Sequence, residues 1–401
     1  MSLNFGRTLL AIPGPSVMPD RVLSAMHRAS PNIYEGELVG LAESLYPDLQ
    51  KVARTEGDAV IHIGNGHAAW EAALCNTMSR GDRVLVLSTG LFALGWADMA
   101  RGLGLDVQIE EFGTDTDADP ARVEQILRED RAHRVKAVLT VQTDTASSVK
   151  NDLPKIRQAI DAAGHPALFM VDCIASLACD HYEMDGWGVD VTVSACQKGL
   201  MTPAGISFLF FNKKADSARD SAGLVTSYWD WRPRAAAKIF SHRFAGTAPT
   251  QHLFGLRVAL DILLYEEGLE AVWNRHTLFA RAVWAAVDAW GSGGKMRLNI
   301  RDTSKRSSAV TTIWTGEDEA KRLRAWTEQE AGLTLGLGLL LRKGENADRG
   351  DLFRIGHMGH LNIVMMMATL GTIDAGLKSL GIPHGDGGVT AASRVIAEYE
   401  R

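Results

Sequence analysis

Three short segments of this 401-residue chain pair reactive side chains with positions where a sheet would present them. Ser194-Ala195-Cys196-Gln197-Lys198-Gly199 follows an apolar run, and a lysine at such a strand end reaches a site at the sheet edge. Burial there lowers a lysine's pKa and makes it a competent nucleophile toward a carbonyl, while Gly199 leaves room for a bound group. Taken alone, a lysine is a solvated charge. The second segment, Ala167-Leu168-Phe169-Met170-Val171-Asp172, ends an apolar run on a carboxylate, where α/β sheets bind their ligands. The competing reading is a helix N-cap, a role Asp fills well. The third, Gly64-Asn65-Gly66-His67-Ala68-Ala69, follows a run and opens a helix. Its glycines would let the backbone approach an anion at the positive end of the helix dipole. Read literally it is also the loose dinucleotide fingerprint, which needs an acidic residue about 20 positions further on at the next strand end. That strand ends on Leu87-Ser88-Thr89, with no acid, so a single phosphate is the expected anion and a plain tight turn the alternative.

The lysine, the carboxylate and the phosphate cradle together are the parts a pyridoxal 5'-phosphate site requires. The lysine holds the aldehyde, the carboxylate keeps the pyridine nitrogen protonated, and the helix N-terminus takes the phosphate. Other chemistry is weakly signalled. His357 and His360 form an H-x-x-H with no third ligand after it, so no metal is expected. Cys75, Cys173, Cys179 and Cys196 show no C-x-x-C spacing, and no export signal stands in Met1–Leu10; reduced thiols and a cytoplasmic location are expected.

These segments need a scaffold, and the pattern supplies one. Apolar runs at Ala59–Ile63, Arg83–Leu87, Leu105–Ile109, Val135–Val141, Ala167–Val171, Val189–Val193 and Ile206–Phe211 read as strands buried on both faces. Amphipathic stretches such as His67–Met78, Pro120–Asp130 and Leu153–Ala163 lie between them. That alternation specifies an α/β fold on a mostly parallel seven-stranded sheet. Tyr228-Trp229-Asp230-Trp231 opens an aromatic, basic stretch that reads as interface packing, and a helix is expected over Gln251–Gly268. Beyond about Gly291 come a strand at Ser308–Trp314, a helix at Glu317–Gly332 and a strand at Phe353–Gly356, a smaller α+β lobe. The expected organisation is an N-terminal arm over 1–20 lining the site, a large cofactor-binding domain over 21–265, and a small C-terminal domain over 266–401. With 46% hydrophobic and 22% charged residues the composition is that of a globular protein. A formal charge of -6 argues against a nucleic-acid partner, and no run approaches the roughly 20 apolar residues of a membrane span.

Set side by side, these motifs resemble the class V aminotransferases of pyridoxal-phosphate fold type I, and most of all the alanine–glyoxylate and serine–glyoxylate group. Ile12-Pro13-Gly14-Pro15-Ser16 resembles the family's opening segment, implying that Pro13 and Gly14 line the substrate pocket. Asn65, Gly66 and His67 match the phosphate loop. Thr89-Gly90-Leu91-Phe92 is similar to the element whose aromatic residue, here Phe92, stacks on the ring. Asp144-Thr145-Ala146-Ser147 resembles the acidic-Ser/Thr element, pointing to Thr145 near the ring hydroxyl. Asp172, Gln197 and Lys198 match the pyridine-nitrogen partner, a phosphate contact and the cofactor lysine. Phe244-Ala245-Gly246-Thr247 resembles the stretch that reaches the partner subunit's phosphate, implying a homodimer with shared sites and a role for Thr247. Phe353-Arg354-Ile355-Gly356 resembles the motif whose arginine binds the substrate carboxylate, and a guanidinium fork suits that task.

Two stretches depart from the family. Phe244 stands where the glyoxylate enzymes carry tyrosine. Tyr34-Glu35-Gly36-Glu37-Leu38-Val39-Gly40 stands where the serine–glyoxylate group carries His-Arg-Ser-Pro, and His27-Arg28-Ala29-Ser30-Pro31 is a displaced echo. If Tyr34 and Glu37 face substrate, Glu35 and Glu37 disfavour a donor with a second acid. The resemblance thus implies transfer of the amino group of a small L-amino acid, alanine or serine, to glyoxylate or pyruvate. A different donor (aspartate or a distal amine) and a lyase of the same fold are the alternatives. A desulfurase would need a mobile cysteine, and a binding scaffold would leave the lysine–aspartate–phosphate set unexplained.

Overall fold

The computed structural model of the chain describes residues 3–339 and 350–399. Twelve strands run in chain order: β1 (Leu9–Ala11), β2 (Asp58–Ile63), β3 (Arg83–Ser88), β4 (Asp106–Glu111), β5 (Val135–Val141), β6 (Leu168–Asp172), β7 (Val191–Ala195), β8 (Ile206–Phe211), β9 (Arg297–Leu298), β10 (Val310–Trp314), β11 (Leu333–Leu337) and β12 (Leu352–Gly356). Seven of them form one sheet in the order β2-β8-β7-β6-β5-β3-β4. Only β8 runs against the rest, pairing antiparallel with both β2 and β7. Helices cover both faces, so alternate residues of one strand feed two cores. Leu85, Val138 and Phe169 point into one core, and Val84, Leu139 and Met170 into the other.

Local chemistry starts the helices between these strands. Asp119 accepts a hydrogen bond from Ala121 N with Pro120 in the first turn, and Asp152 accepts from Lys155 N; each supplies an N–H acceptor that the first helical turn lacks. Asn65 does the same for His67 N at 3.1 Å and begins the helix Gly66–Thr77.

Several bounds differ from the sequence pattern. β7 starts at Val191 rather than Val189, because the carboxylate of Asp190 is engaged by Phe169 N and Lys214 Nζ, at 2.8 and 3.0 Å. β4 is an edge strand of intermediate burial, shifted to Asp106–Glu111, and so is not buried on both faces. The single helix expected over Gln251–Gly268 is an α-helix, Thr250–Asp261, continued as a π-helical turn, Ile262–Glu267; Gly268 then breaks it ahead of the 23-residue helix Leu269–Gly291. Trp231 is core, stacked on Phe211 at 4.1 Å with its indole N–H on Asp216, and Trp229 donates to Glu71; both pack within the chain.

The second sheet has the order β1-β11-β12-β10-β9. Its edge strand comes from the other end of the sequence: Leu9, Leu10 and Ala11 pair parallel with Leu333, Thr334 and Leu335. The opening segment is therefore part of the C-terminal lobe before it turns toward the large sheet.

A buried carboxylate ties the lobes together. Asp180, in the loop after β6, accepts hydrogen bonds from Ser307 Oγ at 2.8 Å, Ser308 N at 2.8 Å and Thr143 Oγ1 at 3.1 Å. His357 extends this knot, with Nδ1 near Ser308 O and Nε2 near Thr311 Oγ1, so both ring nitrogens are engaged. Asp180→Ala would strand three buried donors, and a loss of about 3 kcal/mol in unfolding free energy is expected. Asp180→Asn, which keeps one acceptor oxygen, should lose less. Urea unfolding measures both; a midpoint for Asp180→Ala equal to the native one would show that the lobes are held otherwise.

Candidate active site

The carboxyl ends of β5, β6 and β7 and the N-termini of two helices meet at a cavity of about 160 Å³. Asn65, Gly66, His67, Phe92, Thr145, Asp172, Gln197 and Lys198 all line it, joined by Trp70, Thr143 and Ile174, which the sequence patterns did not single out. Each is placed by an identifiable local cause.

Gly66 opens the cradle helix, and a Cβ there would lie 2.3 Å from Ile174 Cδ1, so a larger residue would force that side chain to move. Partial desolvation pushes the pKa of His67 down, and its ring sits edge-on to Trp70 at 4.4 Å. Phe92 lies in the first turn of the helix Leu91–Gly102. The cap of that helix comes from outside it: Asp144 Oδ2 accepts from Phe92 N at 2.8 Å, while Oδ1 accepts from Ala146 N at 2.9 Å. Burial raises the pKa of Asp144 against these amide donors.

Asp172 ends β6 inside the protein. Its Oδ1 accepts from Ile174 N at 2.6 Å and its Oδ2 from Trp70 Nε1 at 2.7 Å. The first contact is the local turn-forming bond that an N-cap would make, but a run of turns follows instead of a helix. Burial is the largest effect on its pKa and lifts it to about 7; Ile174 and Trp70 oppose the rise.

Lys198 lies in the turn after β7, and its Nζ donates to Pro13 O. Burial first and Arg354 second bring its pKa down to about 8, with Asp172 pulling the other way. The opening segment is sewn onto this turn: Ser16 N donates to Gln197 O at 2.9 Å, and Ser16 Oγ to Lys198 O at 2.7 Å. Gly14 has φ +93°, and a Cβ would fall 2.4–2.6 Å from the Lys198 side chain. The amide oxygen of Gln197 is buried with no hydrogen-bond partner among the described residues.

Arg354, on β12, is buried and stands outside the cavity lining, close enough to Lys198 to depress its pKa. Its Nε donates to Leu337 O at 2.6 Å and its Nη1 to Thr145 O at 2.7 Å, bridging the lobes. Burial brings its pKa down to about 10. The structure does not bring Tyr34, Glu37 or Thr247 to the cavity of their own chain. Tyr34 is 84% exposed, Thr247 is exposed, and the Glu37 side chain, 62% exposed, pairs with Arg28 at 2.8 Å.

Trp70, Thr143 and Ile174 are what the sequence patterns missed. Trp70 follows His67 by three positions on one helix and so shares its face, a signal that spacing alone offers. Asp144 was legible only as the neighbour of Thr145. Among the described residues no group of three or more His, Cys, Asp or Glu could hold a metal ion.

A partly buried amine, a buried carboxylate and a helix N-terminus around one cavity can hold a phosphorylated carbonyl compound and move protons beside it. The family model for aminotransferase class V matches residues 20–336. The chain is 36% identical to serine–glyoxylate aminotransferase of Methylorubrum extorquens, over 98% of this chain and 97% of that one. It is 34% identical to L-aspartate–glyoxylate aminotransferase of Paracoccus denitrificans, over 96% and 94%. Among solved structures, pyridoxamine–pyruvate aminotransferase from Mesorhizobium loti superposes with a TM-score of 0.86 at 26% identity, covering 97% of each chain. By family model and by full-length relatives alike, the chain belongs to the class V aminotransferases.

Proposed function

We propose that this aminotransferase uses pyridoxal 5'-phosphate to move the amino group of a small L-amino acid, alanine or serine, to glyoxylate or pyruvate. One observation carries the reading: Lys198, a partly buried amine with a lowered pKa, shares a cavity with buried Asp172 and the glycine-cradled helix end. The residues fit the cofactor. The N-terminus of the helix Gly66–Thr77 suits a phosphate, and the buried Asp172 carboxylate faces the same cavity. When bound, the pyridine ring supplies an electron sink.

The chain's own residues do the rest. Lys198 would hold the cofactor covalently, and its Nζ, when free, would take the α-proton of the substrate and act as the proton carrier of the site. Asn65, Gly66, His67 and Gln197 would hold the phosphate, Phe92 would cover the ring, Thr145 would serve its hydroxyl and Asp172 its nitrogen. Pro13 and Gly14 wall the substrate side. Arg354 binds the α-carboxylate; its Nη2 makes no hydrogen bond among the described residues, so a donor is left to offer.

The choice of a small neutral donor rests on the lining and on the name of the serine–glyoxylate relative, against that of the L-aspartate–glyoxylate one: Lys198 and His67 are the only basic side chains among the described residues that line the cavity. A distal carboxylate would find no arginine in that lining. A homodimer is part of this reading, with Thr247 of the partner subunit completing the phosphate site; exposed Tyr34, Ile63, Tyr228 and Ile239 offer apolar surface for it. The cytoplasm is the proposed compartment: all four cysteines are free, and no helix of the described residues is long and apolar enough to cross a membrane. Cys196 is buried, with Sγ on Pro203 O at 2.9 Å, unlike the mobile nucleophile a desulfurase needs.

Borohydride reduction of the loaded protein should leave a pyridoxyl group on Lys198; finding it on Lys213 or Lys214 would overturn the assignment. Because only the neutral amine loads, and its pKa is about 8, the loading rate of the cofactor-free chain should rise through about pH 8 and then level off. A rate still climbing at pH 10 would mean an ordinary lysine. Arg354→Met should weaken every amino acid alike, by about 2–5 kcal/mol or 30-fold and upward in kcat/KM. In a donor panel, kcat/KM for alanine or serine should exceed that for aspartate; aspartate as best donor would contradict the pocket described.

A further inference from the structure

Trp70 has no part in the chemistry assigned above, yet it makes one of the two hydrogen bonds that the Asp172 carboxylate accepts. Its Nε1 meets Oδ2 at 2.7 Å, while the amide of Ile174 meets Oδ1 at 2.6 Å. The indole cannot wander. Trp70 is 1% exposed, stacked on Trp96 at 5.9 Å and 13°, with His67 against its edge. Its backbone belongs to the same helix that opens with the phosphate cradle. The amide of Ile174 would be supplied by nearly any residue, but the second donor depends on this side chain alone.

We infer that Trp70 is a positioning residue that keeps Asp172 an oriented carboxylate, so that the cofactor's ring nitrogen meets an anion and not a neutral acid. The inference rests on the reading of Asp172 as the ring-nitrogen partner. Asp172 sits where burial favours its neutral form, and the charged groups facing it are few. Lys198 approaches from the turn after β7 and Asp144 from the segment after β5, with opposite effects on the carboxyl. His67 faces the cavity from the helix, its pKa lowered by burial. Cys173, the next residue in the chain, has its thiol pushed well up by burial and stays neutral. When Lys198 is neutral its attraction vanishes, and the anion depends on the Ile174 amide and the Trp70 indole. A hydrogen bond to a charged acceptor is stronger than one to a neutral acceptor, so the indole selects the ionised form.

Trp70→Phe removes the donor and keeps a flat ring between Trp96 and His67. The carboxyl carbon of Asp172 can be followed by NMR in the cofactor-free chain, its resonance identified by its loss in Asp172→Asn. The titration midpoint, near 7 in the native chain, should rise by about one pH unit in Trp70→Phe. The ionised share at pH 7 then falls about five-fold. Trp96→Phe, which alters the same stack at an indole whose nitrogen has no partner, should leave the midpoint in place. In the loaded enzyme the acidic limb of kcat should move up with the carboxyl in Trp70→Phe, with KM for the amino acid within about two-fold. Should Trp70→Phe not fold, the indole N–H resonance of the native chain serves instead: it should titrate with the carboxyl and lose that dependence in Asp172→Asn. An unchanged midpoint, an equal shift in Trp96→Phe, or a pH-independent indole resonance overturns the inference. Failure of the native chain to bind pyridoxal 5'-phosphate would instead overturn the reading of the site, and the cofactor-free titration tells the two apart.

Discussion

Much of this structure follows from having to bury charge without neutralising it. Asp172, Lys198, Asp144 and Arg354 lie within one region where water is scarce, and desolvation acts against the charged form of each. None is rescued by a single ion pair. Asp144 is held by amides of its own turn and of the Phe92 helix, Asp172 by one amide and one indole, and Arg354 by two carbonyls from different lobes. Backbone groups are donors and acceptors that cost no side-chain ordering, and they are abundant only where strands end and helices begin. The α/β layering therefore concentrates at one sheet edge the unpaired peptide groups that buried charges need.

That logic also separates what could be read in the sequence from what could not. The cradle at Gly64–His67, the carboxylate of Asp172 and Lys198 each sit at the end of an apolar run, and runs are visible in one dimension. So were most strands of the large sheet, since burial on both faces leaves little but Val, Ile, Leu and Phe. Contacts that join distant segments left no such trace. Nothing in Leu9-Leu10-Ala11 announces a partner at Leu333, and nothing in Pro13 announces Lys198. The π-helical turn at Ile262–Glu267 looks like ordinary helix because its residues have ordinary helical propensities. Tyr34 and Glu37 could be aligned with a substrate segment, but within one chain they face solvent.

Arg354 shows how the second lobe is fixed against the cavity wall. It occupies the middle of β12, between β10 and β11, so its position is set by two ladders of backbone hydrogen bonds. Its Nη1 then reaches across to Thr145 O, next to the Asp144 cap of the Phe92 helix. The Asp180 knot fixes the start of β10 against Thr143, at the same cavity wall. Two independent polar bridges thus register one lobe on the other, and a guanidinium on a strand is aimed with less slack than one on a loop.

The pairing of β1 with β11 bears on how the protein is made. A chain leaving the ribosome releases Leu9 first and the partner of Leu9 only after four-fifths of the sequence has emerged. The sheet of β2 to β8 can close long before that, because all its strands lie between Asp58 and Phe211. The opening segment must meanwhile wait unpaired, and closing so long a loop is entropically expensive and slow. Pro13 and Ser16 follow directly on β1, so the lysine turn receives its last contacts only when the C-terminal lobe has folded. Completion of the lysine turn is thereby tied to completion of synthesis: a nascent or truncated chain lacking β11 can fold its large sheet and still lack the contacts that Pro13 and Ser16 make to Lys198.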